Sequence, residues 1–356
     1  MFDLSASTVN KMLDYVDFPK TLNVSKRRDA YVTEWYFETS ILPEITEGQT
    51  STGWCYVSQN RTRNWFKVTN NTGPADPQRN TDRLIITALK EKDPAQRFFS
   101  IFEDRGSVRL REIVHNQDGW RQVRPADTAN ICNTQLINET ATTLSEKPRH
   151  KLPFAHIWLN HVPSSYKTNL LIQRLLMNFG LKKKFPLDVD AIEINDGQLV
   201  FHEFKRKTKC ADGCFIVGDI KITRRMLKNI LDRCNAAGLP YGDKLFDFVK
   251  SNLKYQRDTN AQCYGLDKGH LSNYEFCHKH EITFRHTIWD SSNYPNKPNI
   301  SDLFNEDQEP QKAVNLISSQ ITPDSFMGFI FTYGDNSGTI TSDLRIQATL
   351  RAECFE

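Results

Sequence analysis

No apolar run in the 356 residues approaches the roughly 20 consecutive residues that a membrane-spanning helix needs. The N-terminal stretch "MFDLSASTVNKMLDYV" has no basic region leading into an apolar run, so no signal peptide is expected. Net charge is small, +3, which excludes a whole-molecule polycation; any nucleic-acid surface must be a local patch. Internal repeats and long low-complexity tracts are absent too. The eight cysteines are scattered rather than framed at regular intervals, so reduced thiols in a cytoplasmic protein are expected, not a disulfide scaffold.

What is present fits a folded protein without a membrane anchor. Apolar residues make up 38% and charged residues 25%, the balance of a globular core under a polar surface. The length is more than one typical core holds, so two domains are expected, 1–150 and 151–356. Residues 1–20 have a helical pattern, with Val9, Met12, Leu13 and Val16 on one side. Residues 30–125 read as β-rich: "WCYVSQ", "NWFKVT", "RLIITAL", "RFFSIFE" and "SVRLREIV" are short strand-like runs between turn signals. "EKPRHKLP" has the composition of a linker.

The second half alternates. "SSYKTNLLIQRLLMNFG" is a helix candidate stopped by Gly180. A hairpin follows, and "CADGCFIVGDIKI" reads as a loop and a strand. "TRRMLKNILDRCNAAGLP" and "GDKLFDFVKSNL" are helices, "HEITFRHTIW" is a strand, and the C-terminal stretch from Phe326 reads as hairpin strands. This order implies an α/β domain of mixed α+β character.

The hairpin, "VDAIEINDGQLVFHEFKRK", holds the chemistry. Asp196-Gly197 favours a type I′ turn, so paired residue numbers should sum to 393. Asp190 then opposes Glu203, and Asp188 opposes Lys205, all on one face. His202 should point to the other face, which argues against a catalytic role for it. Like charges directly across a strand pair repel, and a divalent cation between Asp190 and Glu203 removes the conflict. The competing reading is a surface hairpin with solvated ion pairs, which contribute little. The apolar residues on both sides of these acids favour the metal.

Asp190 followed twelve residues later by Glu203-Phe204-Lys205 resembles the signature of the PD-(D/E)XK nuclease superfamily, nearest to its RecB/Cas4-type members. The resemblance covers roughly residues 160–290 and implies a restriction-endonuclease-like core, a mixed sheet flanked by helices, preceded here by the β-rich N-terminal domain. The family's first strand would fall on "LKKKFP", and its first helix on 164–179. The resemblance implies that Asp190, Glu203 and the Phe204 carbonyl bind Mg²⁺, with Mn²⁺ as substitute, and that Lys205 acts on the attacking water. A second acid-x-Lys triplet, Asp219 and Lys221, lacks a partner strand with a matching Asp and ranks below the first.

Basic residues surround the acidic centre. Lys207, Arg224 and Arg225 are the candidates for phosphate contact, the two arginines because they open a helix. A solvated charged face is the plainer reading of any one of them. Cys210-x3-Cys214 and Cys277-x2-His280 have the spacing of two halves of a structural zinc site, with Cys263 and His278 as alternative ligands that leave the pairing open; cysteines are also ordinary buried residues. Trp54, Tyr56 and Trp65, among Arg61, Arg63 and Lys67, could stack on bases but are expected mostly to be core. The function expected is a Mg²⁺-dependent endonuclease, with DNA favoured over RNA and a restriction or phage-defence role. An RNA-directed nuclease of the same fold and a non-catalytic nucleic-acid-binding protein are the alternatives, and a homodimer is an assembly open to it.

Overall fold

A computed structural model describes residues 33–34, 36–59, 62–68, 77–104, 107–113, 120–124, 127, 131, 168, 187–207, 209–210, 213–216, 222–238, 243–253, 255–290, 315–333 and 344–355. The helices expected at 1–20 and 164–179, the linker "EKPRHKLP", the strand "LKKKFP" and the Asp219–Lys221 triplet lie outside the described residues. The chain divides into two compact units between His202 and Glu203, later than the boundary expected at 150. The reason is a long-range pairing: β6 (Leu187–Asn195) runs antiparallel to β1 (Gln49–Gln59) and so joins the N-terminal unit.

In the first unit β1 is followed by β2 (Thr62–Val68), α1 (Pro77–Lys92), β3 (Arg97–Asp104), β4 (Ser107–Ile113) and β5 (Trp120–Gln122). With β6 and the first half of β7 (Gln198–Lys207), the order across the sheet is β7-β6-β1-β2-β3-β4-β5. All these pairs are antiparallel except β2 with β3. A parallel pair needs a crossover, and α1 supplies it. "RLIITAL" is therefore helix, not the strand its β-branched residues suggest. Ile85, Ile86 and Leu89 form its buried stripe, while Leu84 is 46% exposed.

The first unit's core is aromatic. Trp65 stacks on Phe98, with ring centroids 6.3 Å apart and planes 6° apart, and meets Phe201 edge-on at 5.9 Å. Trp54, Tyr56 and Trp65 are fully buried, as expected for core residues. Beside them lies a buried polar knot. The Lys67 ammonium donates to Asp82 Oδ1 at 2.5 Å and also to Ser51 Oγ; Ser51 in turn donates to Asp82, and the Trp54 indole donates to Ser51 at 2.9 Å.

In the second unit the remainder of β7 lies beside β11 (Thr283–Asp290), which pairs antiparallel with β12 (Asn315–Gln320). A separate sheet has the order β10-β14-β13-β8-β9, from β8 (Cys214–Ile216), β9 (Gln256–Asp258), β10 (Cys263–Leu266), β13 (Phe326–Tyr333) and β14 (Leu344–Arg351). β13 and β14 form the antiparallel pair expected of the C-terminal stretch. Gly328 lets β8 approach, because a Cβ there would run into the Phe215 carbonyl.

Three helices complete this unit: α2 (Arg224–Ala236), α3 (Asp243–Leu253) and α4 (Lys268–Lys279). Thr223 caps α2 by accepting the Met226 amide at 3.1 Å. Leu227, Ile230 and Cys234 form its buried stripe, as the period of the sequence requires. The chain is thus of mixed α/β class, with helices packed on mixed sheet.

Candidate active site

The hairpin turn is as expected. Asp196 and Gly197 both have positive φ, 47° and 79°, which a type I′ turn requires and glycine tolerates freely. Asn195 pairs with Gln198, Ile194 with Leu199, Ile192 with Phe201 and Ala191 with His202, so paired numbers sum to 393. His202 turns to the opposite face from Glu203, where its Nε2 lies 2.8 Å from Glu193 Oε2.

On the first-unit side of the hairpin, Asp190 is fully buried and Asp188 is half-buried. Asp188 sits across from Cys55 of β1, and Val189 across from Trp54. Burial pushes the Cys55 thiol well up, and the charges of Asp188, Glu34 and Asp190 push it further. The charges of three carboxylates therefore act on one buried thiol. Glu34 was not singled out in the sequence; its only signal was its position in the segment leading to β1.

On the second-unit side, Glu203 is 1% exposed and Phe204 is buried. The Asn273 side-chain amide donates to Glu203 Oε1. His270 Nε2 stands 3.4 Å from Oε2, and His286 Nδ1 lies 3.1 Å from the Glu203 backbone oxygen. Burial first, then the charges of Lys205, His286 and Lys207, holds His270 well below the usual histidine range. Burial, followed by Lys207, pushes His286 down to about 3. Both imidazoles are therefore neutral at physiological pH. The His270–Glu203 contact is then a long hydrogen-bond-range contact between a neutral ring and the carboxyl group, not an ion pair.

Helix α4, which supplies His270 and Asn273, was not expected from the sequence. It is buried on most sides: His270, Ser272 and Asn273 are buried together with Leu271, Tyr274, Phe276 and Cys277. Lys205 is half-buried, two residues along β7 from Glu203. A buried carboxylate fixed by an amide, with a lysine beside it on one strand face, can hold a hard cation and act on its bound water.

The basic candidates divide. Lys207 Nζ lies 3.2 Å from Asp267 Oδ2, at the N-cap of α4, and Asp267 also accepts from the Gln347 amide. Arg224 Nε lies 3.4 Å from Glu275, which also accepts the Arg224 backbone amide at 3.2 Å. These two residues serve structural contacts within the unit. Arg225 is exposed, and its side chain makes no hydrogen bond or ion pair among the described residues.

The two halves of the expected zinc set lie on different elements. Cys210 and Cys214 pack with Cys263, Ala261 and Ile330, and the Cys210 amide donates to the Cys263 carbonyl at 2.9 Å. The Cys263 thiol, hydrogen-bonded to Cys210 and Cys214, is held far above the usual range, and the Cys263 bond lowers Cys214. Cys277 is buried on α4, and the ring of His280 packs on Phe276 at 4.6 Å. Among the described residues no group of three or more His, Cys, Asp or Glu side chains is arranged to hold a metal ion, and no disulfide forms. Cys263, not the Cys277–His280 pair, is the partner of Cys210 and Cys214.

No protein-family model matches the chain, and no curated protein or solved structure matches it. No helix of the described residues is long and apolar enough to cross a membrane.

Proposed function

We propose that the chain is a divalent-metal-dependent nuclease of PD-(D/E)XK type that hydrolyses phosphodiester bonds, with DNA as the favoured substrate. The observation that carries this reading is the buried Glu203 carboxyl group, held by the Asn273 amide, with Lys205 two residues along β7. Asp190 and Glu203 are each buried, and a buried carboxylate is costly unless hydrogen bonds or a cation offset its desolvation. The donor set is all oxygen, which fits Mg²⁺ or Mn²⁺. Asp190, Glu203 and the Phe204 carbonyl would hold the ion; when bound, it would polarise the phosphate and lower the pKa of a bound water.

The other roles follow from neighbours. Asn273 occupies one oxygen of Glu203 and so fixes the carboxyl plane. His270 and His286, being neutral, leave the negative charge of the site available to a cation. Lys205 orients and deprotonates the attacking water. The test is incubation of purified protein with plasmid DNA and with RNA, in Mg²⁺, Mn²⁺ and EDTA. Cleavage that depends on the metal and is lost in Glu203→Ala supports the proposal. Full cleavage in EDTA, or full cleavage by Glu203→Ala, overturns it.

A further inference from the structure

Helix α2 borders a cleft of about 370 Å³ in the second unit, lined by Thr223, Arg225, Met226, Asn229, Arg233 and Tyr255, with Ile230 at its floor. Arg225, Asn229 and Arg233 are four residues apart along the helix, so all three lie on one ridge, with a step of about 6 Å between neighbours. All three are exposed. The Arg225 side chain makes no hydrogen bond or ion pair among the described residues, and that of Arg233 only a 3.4 Å contact to the Asn252 carbonyl. Across the cleft stands Tyr255, half-buried, its ring held edge-on by Phe329 at 5.2 Å.

We infer that this cleft is a binding subsite for a single nucleic-acid strand, with Arg225 and Arg233 on phosphates two steps apart along its backbone and a base lodged against Tyr255. The inference rests on the reading of the chain as a nucleic-acid enzyme and specifies the form of the substrate.

Two guanidiniums spaced along a helix ridge match a backbone of regularly repeating anions, and such contacts do not depend on sequence. The ring offers a flat apolar face that any base can use. Asn229 lies between the two arginines, where its amide can pair with a base edge. The volume suits one nucleotide, and pockets for small ligands begin at roughly this size. An acidic peptide could meet the arginines, but it has no group that needs the tyrosine ring. A duplex keeps its bases stacked inside, so it could use the arginines alone.

The test measures equilibrium binding of a fluorescent single-stranded oligonucleotide and of the matching duplex, in EDTA so that no cleavage intervenes. Arg225→Gln combined with Arg233→Gln should weaken single-strand binding at least tenfold. It should also lower the salt slope by about 1.4, that is about 0.7 for each lost single-strand phosphate contact. Tyr255→Leu, which keeps apolar volume but removes the ring, should weaken single-strand binding about tenfold and leave duplex binding unchanged. Lys250→Gln, an exposed charge on α3 that does not line the cleft, controls for net charge.

Equal losses in the control and the double variant overturn the inference. So does a Tyr255→Leu effect equal on strand and duplex, or displacement of the strand by a poly-glutamate peptide at equal concentration. If the wild type cuts plasmid with Mg²⁺ while the cleft variants bind and cut like it, the cleft inference alone fails. If the wild type neither binds nor cuts any nucleic acid, the nuclease reading fails with it.

Discussion

Glu193 Oε2 sits 2.8 Å from His202 Nε2 on the face of the hairpin turned away from Glu203. The other oxygen of Glu193 accepts the backbone amides of Glu47 at 2.9 Å and Gly48 at 2.7 Å. One buried carboxylate thus ties both strands of the hairpin to the start of β1. The His202 bond first, then the two amides, holds its carboxyl down at about 2.

The sign of the pH dependence follows. A folded-state value near 2 lies below the unfolded carboxyl, so the stabilisation is complete above about pH 4.5 and is lost as pH falls toward 2. Glu193→Ala should cost roughly 3–5 kcal/mol, because it leaves His202 and two amides unmatched. It should also flatten the acid limb of the stability curve between pH 5 and 2. Urea unfolding of both proteins across that range measures it; an unchanged acid limb would contradict the assignment.

The catalytic prediction follows from the proposed metal set. Asp190→Ala, Glu203→Ala and Lys205→Ala should each abolish cleavage in a protein that remains folded by circular dichroism. Asp188→Ala should retain measurable cleavage, since Asp188 lies across from Cys55 and outside the metal set. Dead Asp188→Ala beside active Asp190→Ala would reassign the ligand.

Asn273 should matter through Glu203. Asn273→Ala removes the donor to Oε1, and loss of such a supporting bond typically weakens metal binding by about 10–100-fold. Calorimetric Mn²⁺ titration reads this without turnover. An unchanged affinity in Asn273→Ala would show that the amide does not position the carboxyl group.

The Lys67–Asp82 pair should behave as a buried ion pair does. Asp82→Ala strands the ammonium and should cost about 3–5 kcal/mol, whereas Lys67→Met with Asp82→Leu should recover most of that loss. Urea midpoints of the single and double variants decide it. Loss in the double variant equal to or greater than that in the single would mean the charges themselves are needed.

Much of the local structure was readable in the sequence. Asp196-Gly197 announced the hairpin and its register because only a turn with positive φ at both positions suits that pair. The amphipathic period of Met226 to Cys234 announced α2. Helices α1 and α4 were missed for different reasons. Thr81 to Leu89 is rich in β-branched residues, and only the parallel pairing of β2 with β3 forces it into a crossover. Helix α4 buries histidine, serine and asparagine as well as Leu271, Tyr274 and Cys277, so its apolar stripe is not set off by a polar face; His270 and Asn273 are buried against Glu203. The β1–β6 pairing spans over a hundred residues, and no local pattern specifies a partner at that distance. Its absence from the sequence reading is why the first unit was expected to end too early and why Glu34 was overlooked beside Asp188 and Asp190.

The passage of β7 from one compact unit into the next sets a limit on dissection. Most two-part proteins can be separated at a loop, giving fragments that keep whole elements. Here the division falls inside a strand, between His202 and Glu203. A fragment ending at His202 would stop partway along β7, and its complement would begin with a severed strand. Each would expose backbone donors and acceptors that invite pairing with other chains. The expected behaviour of either half alone is aggregation, so activity, metal binding and strand recognition have to be measured on the uncut chain. A protease-resistant core should also run through residue 203 without a nick.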